Sequence, residues 1–150
     1  MFSYTLIDHS VSFALDLSRI AEIYRIVDDV VDIEQSGSVS IAFLPDREIQ
    51  VLNLKYRGKD STTDVLSFHY FEDYEWLRDD EVAGELIFSE SLIQDQAWEY
   101  GHTEREEFEI LLIHSILHLL GYDHEEDTDF ESMFALERVV RTHMWLSVKR

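Results

Sequence analysis

From Phe108 to Leu120 the chain reads FEILLIHSILHLL, and its apolar residues fall on every side of a helix. A helix at the surface of a globular protein shows one apolar stripe, whereas one that is apolar all round has to be enclosed by the rest of the molecule. Thr103 and Glu106 stand at capping-box spacing ahead of this run, and Gly121 follows it as a left-handed stop. The chain is therefore expected to build its other elements around one buried central helix.

The remaining segments supply a sheet and further helices. FSYTLI at 2–7, VSIAFL at 39–44, VLSF at 65–68 and GELIF at 84–88 are short, β-branched or apolar runs of strand character. A helix is expected from Ser10 or Ser12 to about Gln35, closed by Gly37, with Leu17, Ile20, Ile23, Tyr24, Val27, Val30 and Val31 at helical spacing. Pro45-Asp46 opens another, with Ile49, Leu52 and Tyr56 on one face, and Gly58 ends it. Ser89 or Ser91 begins a third that Gly101 breaks, and a last helix is expected over about 127–147. The segment EDYEWLRDDE at 72–81 carries six acids and one arginine and reads as a solvated loop with part of a hairpin. The fold class is α+β: a small mixed sheet packed with several helices, a central buried helix carrying the metal ligands. One domain over residues 1–150 fits this length.

Composition limits the chemistry. With no cysteine, disulfides and thiolate metal sites are excluded, so a metal has to sit on histidine, carboxylate or water. MFSYTLIDHS is no signal peptide, and no apolar run approaches the ~20 residues of a membrane span, so a cytoplasmic protein without membrane contact is expected. The net charge of -20 argues against indiscriminate binding to nucleic acid, while leaving room for a local basic patch.

His114 and His118 interrupt the apolar helix four residues apart, which puts their Cβ atoms about 5–6 Å from each other on one face. Gly121 lets the chain turn back, and His124 follows. His-x-x-x-His-x-x-Gly-x-x-His brings three imidazoles to one point and leaves an open position for water, the pattern of a catalytic rather than a structural zinc. Burying two imidazoles among leucines without a partner is costly, so ligation is favoured over a plain core role. Asp123, Glu125, Glu126 and Asp127 are near enough in sequence to orient ligand N–H groups. The spacing matches that of metzincin proteases, but their glutamate after the first histidine is replaced by Ser115, which disfavours zinc-protease chemistry. His9, His69, His102 and His143 are not expected to be ligands.

HSILHLLGYDHEED, together with LNLKYRGKDSTTDVLSF at 52–68 and GELIFS at 84–89, resembles the YbeY family of single-domain, metal-dependent endoribonucleases linked to ribosomal RNA maturation. The resemblance implies an α+β fold with the metal helix at its centre, metal binding by His114, His118 and His124, and a functional role for Arg57. The chain departs from the family pattern at Thr62 and His69, where proline is usual, and at Ser115, where glycine is usual.

The expected activity is cleavage of RNA phosphodiesters with one zinc, or another divalent ion, per chain. Arg57 and His114 are the candidate catalytic residues, Arg57 pairing with phosphate oxygens through its planar fork. Lys55 and Lys59 flank Arg57 and make this the best basic patch in the chain. Asp64 and Ser67 either serve the site or close a loop. Tyr70, Phe71, Tyr74 and Trp76 either stack on bases or pack the acidic loop onto the core. Ribosomal RNA is the expected substrate and the ribosome or its proteins the expected partners. A different metallohydrolase and a non-catalytic, metal-stabilised ribosomal module are the alternatives.

Overall fold

The computed structural model describes residues 1–8, 11–70, 74, 77–78, 80–122 and 127–148. Four strands, β1 (Ser3–Asp8), β2 (Ser38–Phe43), β3 (Val65–His69) and β4 (Val82–Phe88), hydrogen-bond in the order β1-β2-β4-β3. β1 and β4 run parallel to β2, while β3 runs antiparallel to β4, so the sheet is mixed. β2 is central because SVSIAF is buried along nearly its whole length, as a strand covered on both faces requires.

Alternation along the strands assigns the two faces. Val39, Ile41, Phe43, Leu86 and Phe88 join the large core under helices α1 (Leu17–Val30), α4 (Glu104–Leu119) and α5 (Asp127–His143). Leu66 and Ile87 turn to the other face, where Ile49 and Leu52 of α2 (Asp46–Arg57) cover them. Helix α3 (Glu90–Tyr100) leads from β4 into α4. Every residue of α4 from Glu107 to Ile113 is buried, as are Ser115, Ile116, Leu117 and Leu119. Each of its large aliphatic side chains contributes about 1.5–3 kcal/mol on burial, so its placement is set by the whole core. Among the described residues no helix is long and apolar enough to cross a membrane.

Three boundaries differ from the sequence expectation, each for a local reason. Helix α1 begins after Asp16, whose side chain caps the N–H of Arg19 at 3.2 Å. Ser12 instead binds Glu90 at the start of α3, and Phe13 inserts its ring against Phe43 and Phe108. The helix stops at Val30; Gly37 lies beyond it, at the entry to β2, where a Cβ would meet Glu81 O at 2.9 Å. Helix α5 ends at His143 because Trp145 adopts φ 59°, and Leu146 N–H returns to Arg141 O at 2.9 Å. That is a left-handed helix stop with tryptophan where glycine is usual, and the adjoining Leu146 is buried as such motifs favour. In the acidic segment, Tyr74 is buried and its hydroxyl donates to Leu119 O at 3.1 Å, pinning that connection onto the end of α4.

Candidate functional site

The last turns of α4 carry His114 and His118 into a cleft of about 470 Å³. Both rings are half-buried, reached from outside yet walled by apolar core. Arg57 enters from the C-terminal end of α2, and Asp64, Val65 and Ser67 from the start of β3; Glu137 and Arg141 come from α5. The structure thus brings together both candidate catalytic residues, Arg57 and His114, with His118. His124 lies outside the described residues, as do Asp123, Glu125 and Glu126.

His114 is oriented by a group that local sequence did not reveal. Its Nδ1 stands 2.5 Å from Glu137 Oε1, and the other carboxylate oxygen of Glu137 accepts from Arg141 at 3.2 Å. The side chains of Glu137 and Arg141 are only 10% and 5% exposed, so this chain of charge-assisted bonds is shielded from water. Nδ1 of His118 is likewise shut off from solvent. Nε2 is then the nitrogen that each ring would offer to a metal, and an acceptor behind the other nitrogen is the usual way a ligand histidine is held. An all-imidazole donor set suits zinc and neighbouring divalent metals. The arrangement fits such an ion, although among the described residues alone no group of three or more candidate ligands assembles.

Glu137 had one readable signal. Met133, Val140 and Met144 are buried along one stripe of α5, and Glu137 occupies a position of that stripe, four residues before Arg141. A buried acid on an apolar stripe needs a partner, and His114 and Arg141 are its partners.

The other candidates sort by geometry. Ser115 is buried and donates its hydroxyl to Leu111 O at 2.6 Å, so it back-bonds to its own helix and supplies no base. Asp64 both lines the cleft and closes the loop before β3: it accepts from Val65 N–H at 2.8 Å and from Gln96 at 3.2 Å. Arg57 is exposed, and among the described residues no carboxylate forms an ion pair with it. Tyr74 is committed to the core, whereas Tyr70 is half exposed; Phe71 and Trp76 lie outside the described residues.

A family model described as Endoribonuclease YbeY matches residues 8–144. The chain belongs to the YbeY endoribonuclease family. Endoribonuclease YbeY of Alkaliphilus metalliredigens is 41% identical over 110 residues, covering 72% of this chain and 71% of the relative. That of Geobacillus thermodenitrificans is 36% identical over 140 residues, 89% of this chain and 90% of the relative. The solution structure of TM1509 from Thermotoga maritima superposes with a TM-score of 0.59 at 26% identity, covering 95% of this chain and 89% of that one. The family places the chain among RNA-hydrolysing enzymes, and the α+β architecture agrees with the sequence expectation.

Proposed function

We propose that this YbeY-family chain is a cytoplasmic, divalent-metal-dependent endoribonuclease that matures ribosomal RNA, working on or beside the ribosome. His114, His118 and His124 hold one ion, and zinc suits the three imidazoles best. The observation that carries the reading is the meeting of Arg57 with His114 and His118 at one cleft, from helices far apart in sequence. When bound, the ion supplies the Lewis acidity that polarises a phosphodiester and acidifies a water. Arg57 grips the non-bridging phosphate oxygens with its guanidinium fork, fixing the scissile group over the histidines. Glu137 fixes the ring of His114, and Arg141 fixes Glu137. Asp64, tied to its loop, lines the same cleft. Peptide hydrolysis lacks support, since Ser115 faces its own helix where a zinc protease needs a carboxylate.

Ribosomal RNA cleavage by wild type, His118→Ala and Arg57→Ala, with metal content determined on each, tests the reading. His118→Ala is expected to lose metal and activity together. Arg57→Ala is expected to keep its metal and to lose roughly 10- to 150-fold in kcat/KM, as loss of a charged hydrogen bond worth about 1.5–3 kcal/mol implies. A wild type that binds metal but cleaves nothing the His118 variant does not, or an Arg57 variant of undiminished activity, refutes it.

A further inference from the structure

Beside the cleft, on the outer side of Arg57, three aromatic rings form a ledge that the proposed chemistry leaves unused. Val65 and Ser67 line the cleft, whereas Leu66 and Phe68 alternate to the opposite face of β3, which is an edge strand. Tyr56, the chain neighbour of Arg57, packs edge-on against Phe68 with ring centroids 5.4 Å apart at 75°. Tyr70 follows at the end of β3, anchored by its N–H to Ala83 O at 3.0 Å, with Glu85 near its hydroxyl. Although anchored, Tyr56 and Tyr70 remain 59% and 53% exposed. Lys55 Nζ lies 5.1 Å from the Tyr56 ring centroid.

Charge marks the same spot. Of the chain's 12 basic residues, Arg19, Arg25, Arg78, Arg105 and Arg141 are bound in ion pairs with carboxylates. Lys55, Arg57 and Lys59 crowd the end of α2, and none of them is ion-paired among the described residues. Asp60, the nearest acid in sequence, receives a hydrogen bond from Gln50 at 3.0 Å. Anchored, solvent-facing aromatic rings beside cations are the means by which proteins bind unpaired bases and their backbone together.

We propose that Tyr56 and Tyr70 form a base-stacking subsite for the RNA strand as it leaves the cleft around the edge of β3, with Lys55 and Lys59 on the flanking phosphates. This inference rests on the RNA-cleaving function proposed above, and it adds a grip on the bases to the phosphate grip of Arg57.

The test is binding of a fluorescein-labelled single-stranded RNA to the metal-loaded protein, read by anisotropy, beside steady-state cleavage of the same RNA. Tyr56→Ala is expected to weaken binding and raise KM by roughly 5- to 150-fold while changing kcat little, as loss of one base–aromatic stack implies. Tyr56→Phe and Tyr56→Trp keep a stacking face and are expected to bind as wild type does, which separates stacking from folding. An abasic substitution in the RNA at the stacked position is expected to cost wild type affinity and Tyr56→Ala nothing further. Undiminished RNA affinity of both Tyr56→Ala and Tyr70→Ala, in proteins that still cleave, overturns the subsite and spares the catalytic reading. Tyrosine-dependent binding without cleavage by wild type upholds the subsite and overturns the catalytic reading.

Discussion

Glu137→Gln is the substitution that most directly probes how the cleft is held. The change keeps the side chain's size and one carbonyl oxygen, but removes the charge shared by His114 at 2.5 Å and Arg141 at 3.2 Å. Arg141, 5% exposed, then keeps Ser147 O at 3.4 Å as a neutral acceptor. Removing one partner of a buried ion pair outright costs about 3–5 kcal/mol. Because glutamine still accepts one bond, the expected loss is nearer the about 1.5–3 kcal/mol of a charged hydrogen bond. For a chain of this size that lowers Tm by roughly 3–12 °C, measured on metal-free protein by calorimetry. A second effect falls on the metal: a neutral amide holds the ring of His114 less firmly than the carboxylate does, and changing the partner behind a histidine that binds a metal typically weakens the ion about 10- to 100-fold. Competition against a chelator of known affinity measures it. A Glu137→Gln protein that melts lower yet binds metal within a factor of two of wild type shows that the charge of Glu137 does not serve the metal, and the reasoning fails.

Gly84→Ala is expected to cost about 1–3 kcal/mol by overpacking, because its Cβ would stand 2.6 Å from Phe68 O and 2.8 Å from Leu119 Cδ1. Leu119 follows His118, so metal affinity should fall with Tm; a protein that melts as wild type does refutes the close approach. RNA affinity should depend weakly on salt: single strands give a slope of about −0.7 per neutralised phosphate, so Lys55, Arg57 and Lys59 together predict about −2 in log K against log salt. A slope steeper than about −4 in an anisotropy titration would mean a basic surface other than this one. Burial first, and then the hydrogen bond to Glu85, push the Tyr70 hydroxyl up to about 12 from 10.0. A raised folded-state pKa gives a contribution that is complete below pH 10 and lost as pH rises through about 12. Ultraviolet titration of wild type beside Tyr70→Phe should therefore show the missing phenol at the high end, and a missing group near pH 10 would contradict the contact.

What the sequence disclosed is what short-range rules govern. The all-apolar run at 108–120 announces a central helix, the Thr103–Glu106 capping box is present as expected, and Ser89 caps α3. Boundaries set by long-range contacts stayed hidden. Ser12 looks like a cap but bonds Glu90, 78 residues away, so α1 waits for Asp16. Trp145 takes a left-handed conformation that only its surroundings enforce, and no glycine marks that end of α5. At the site, the pair of histidines was legible because both lie one turn apart on one helix. Glu137 was legible only as an acid on the apolar stripe of α5; its partner was not, because it meets His114 across 23 residues and a change of helix.

The strong negative charge and an RNA substrate are compatible once the charges are followed individually. A polyanion meeting a body of net charge -20 is repelled wherever acids dominate, and affinity survives only where cations stand without carboxylate partners. Three such cations cluster at the end of α2, Lys55 and Arg57 in its last turn and Lys59 just beyond Gly58, and the guanidinium among them lines the histidine cleft. Elsewhere on the described surface most arginines are consumed in pairs: Arg25 with Glu22 and Asp29, Arg78 with Asp80 and Glu81, Arg105 and Arg19 with Glu109. Arg47 and Arg138 have no such partner among the described residues but stand singly, Arg138 over the Phe134 ring at 5.5 Å. Repulsion by the body and attraction at one spot work in the same sense, since each narrows the ways a strand can lie on the protein. Removing surface acids from the far side of the molecule would then raise RNA affinity while loosening the choice of cleavage position. A uniformly basic surface would gain binding in the same way, and would lose the discrimination that an acidic body with one basic edge provides.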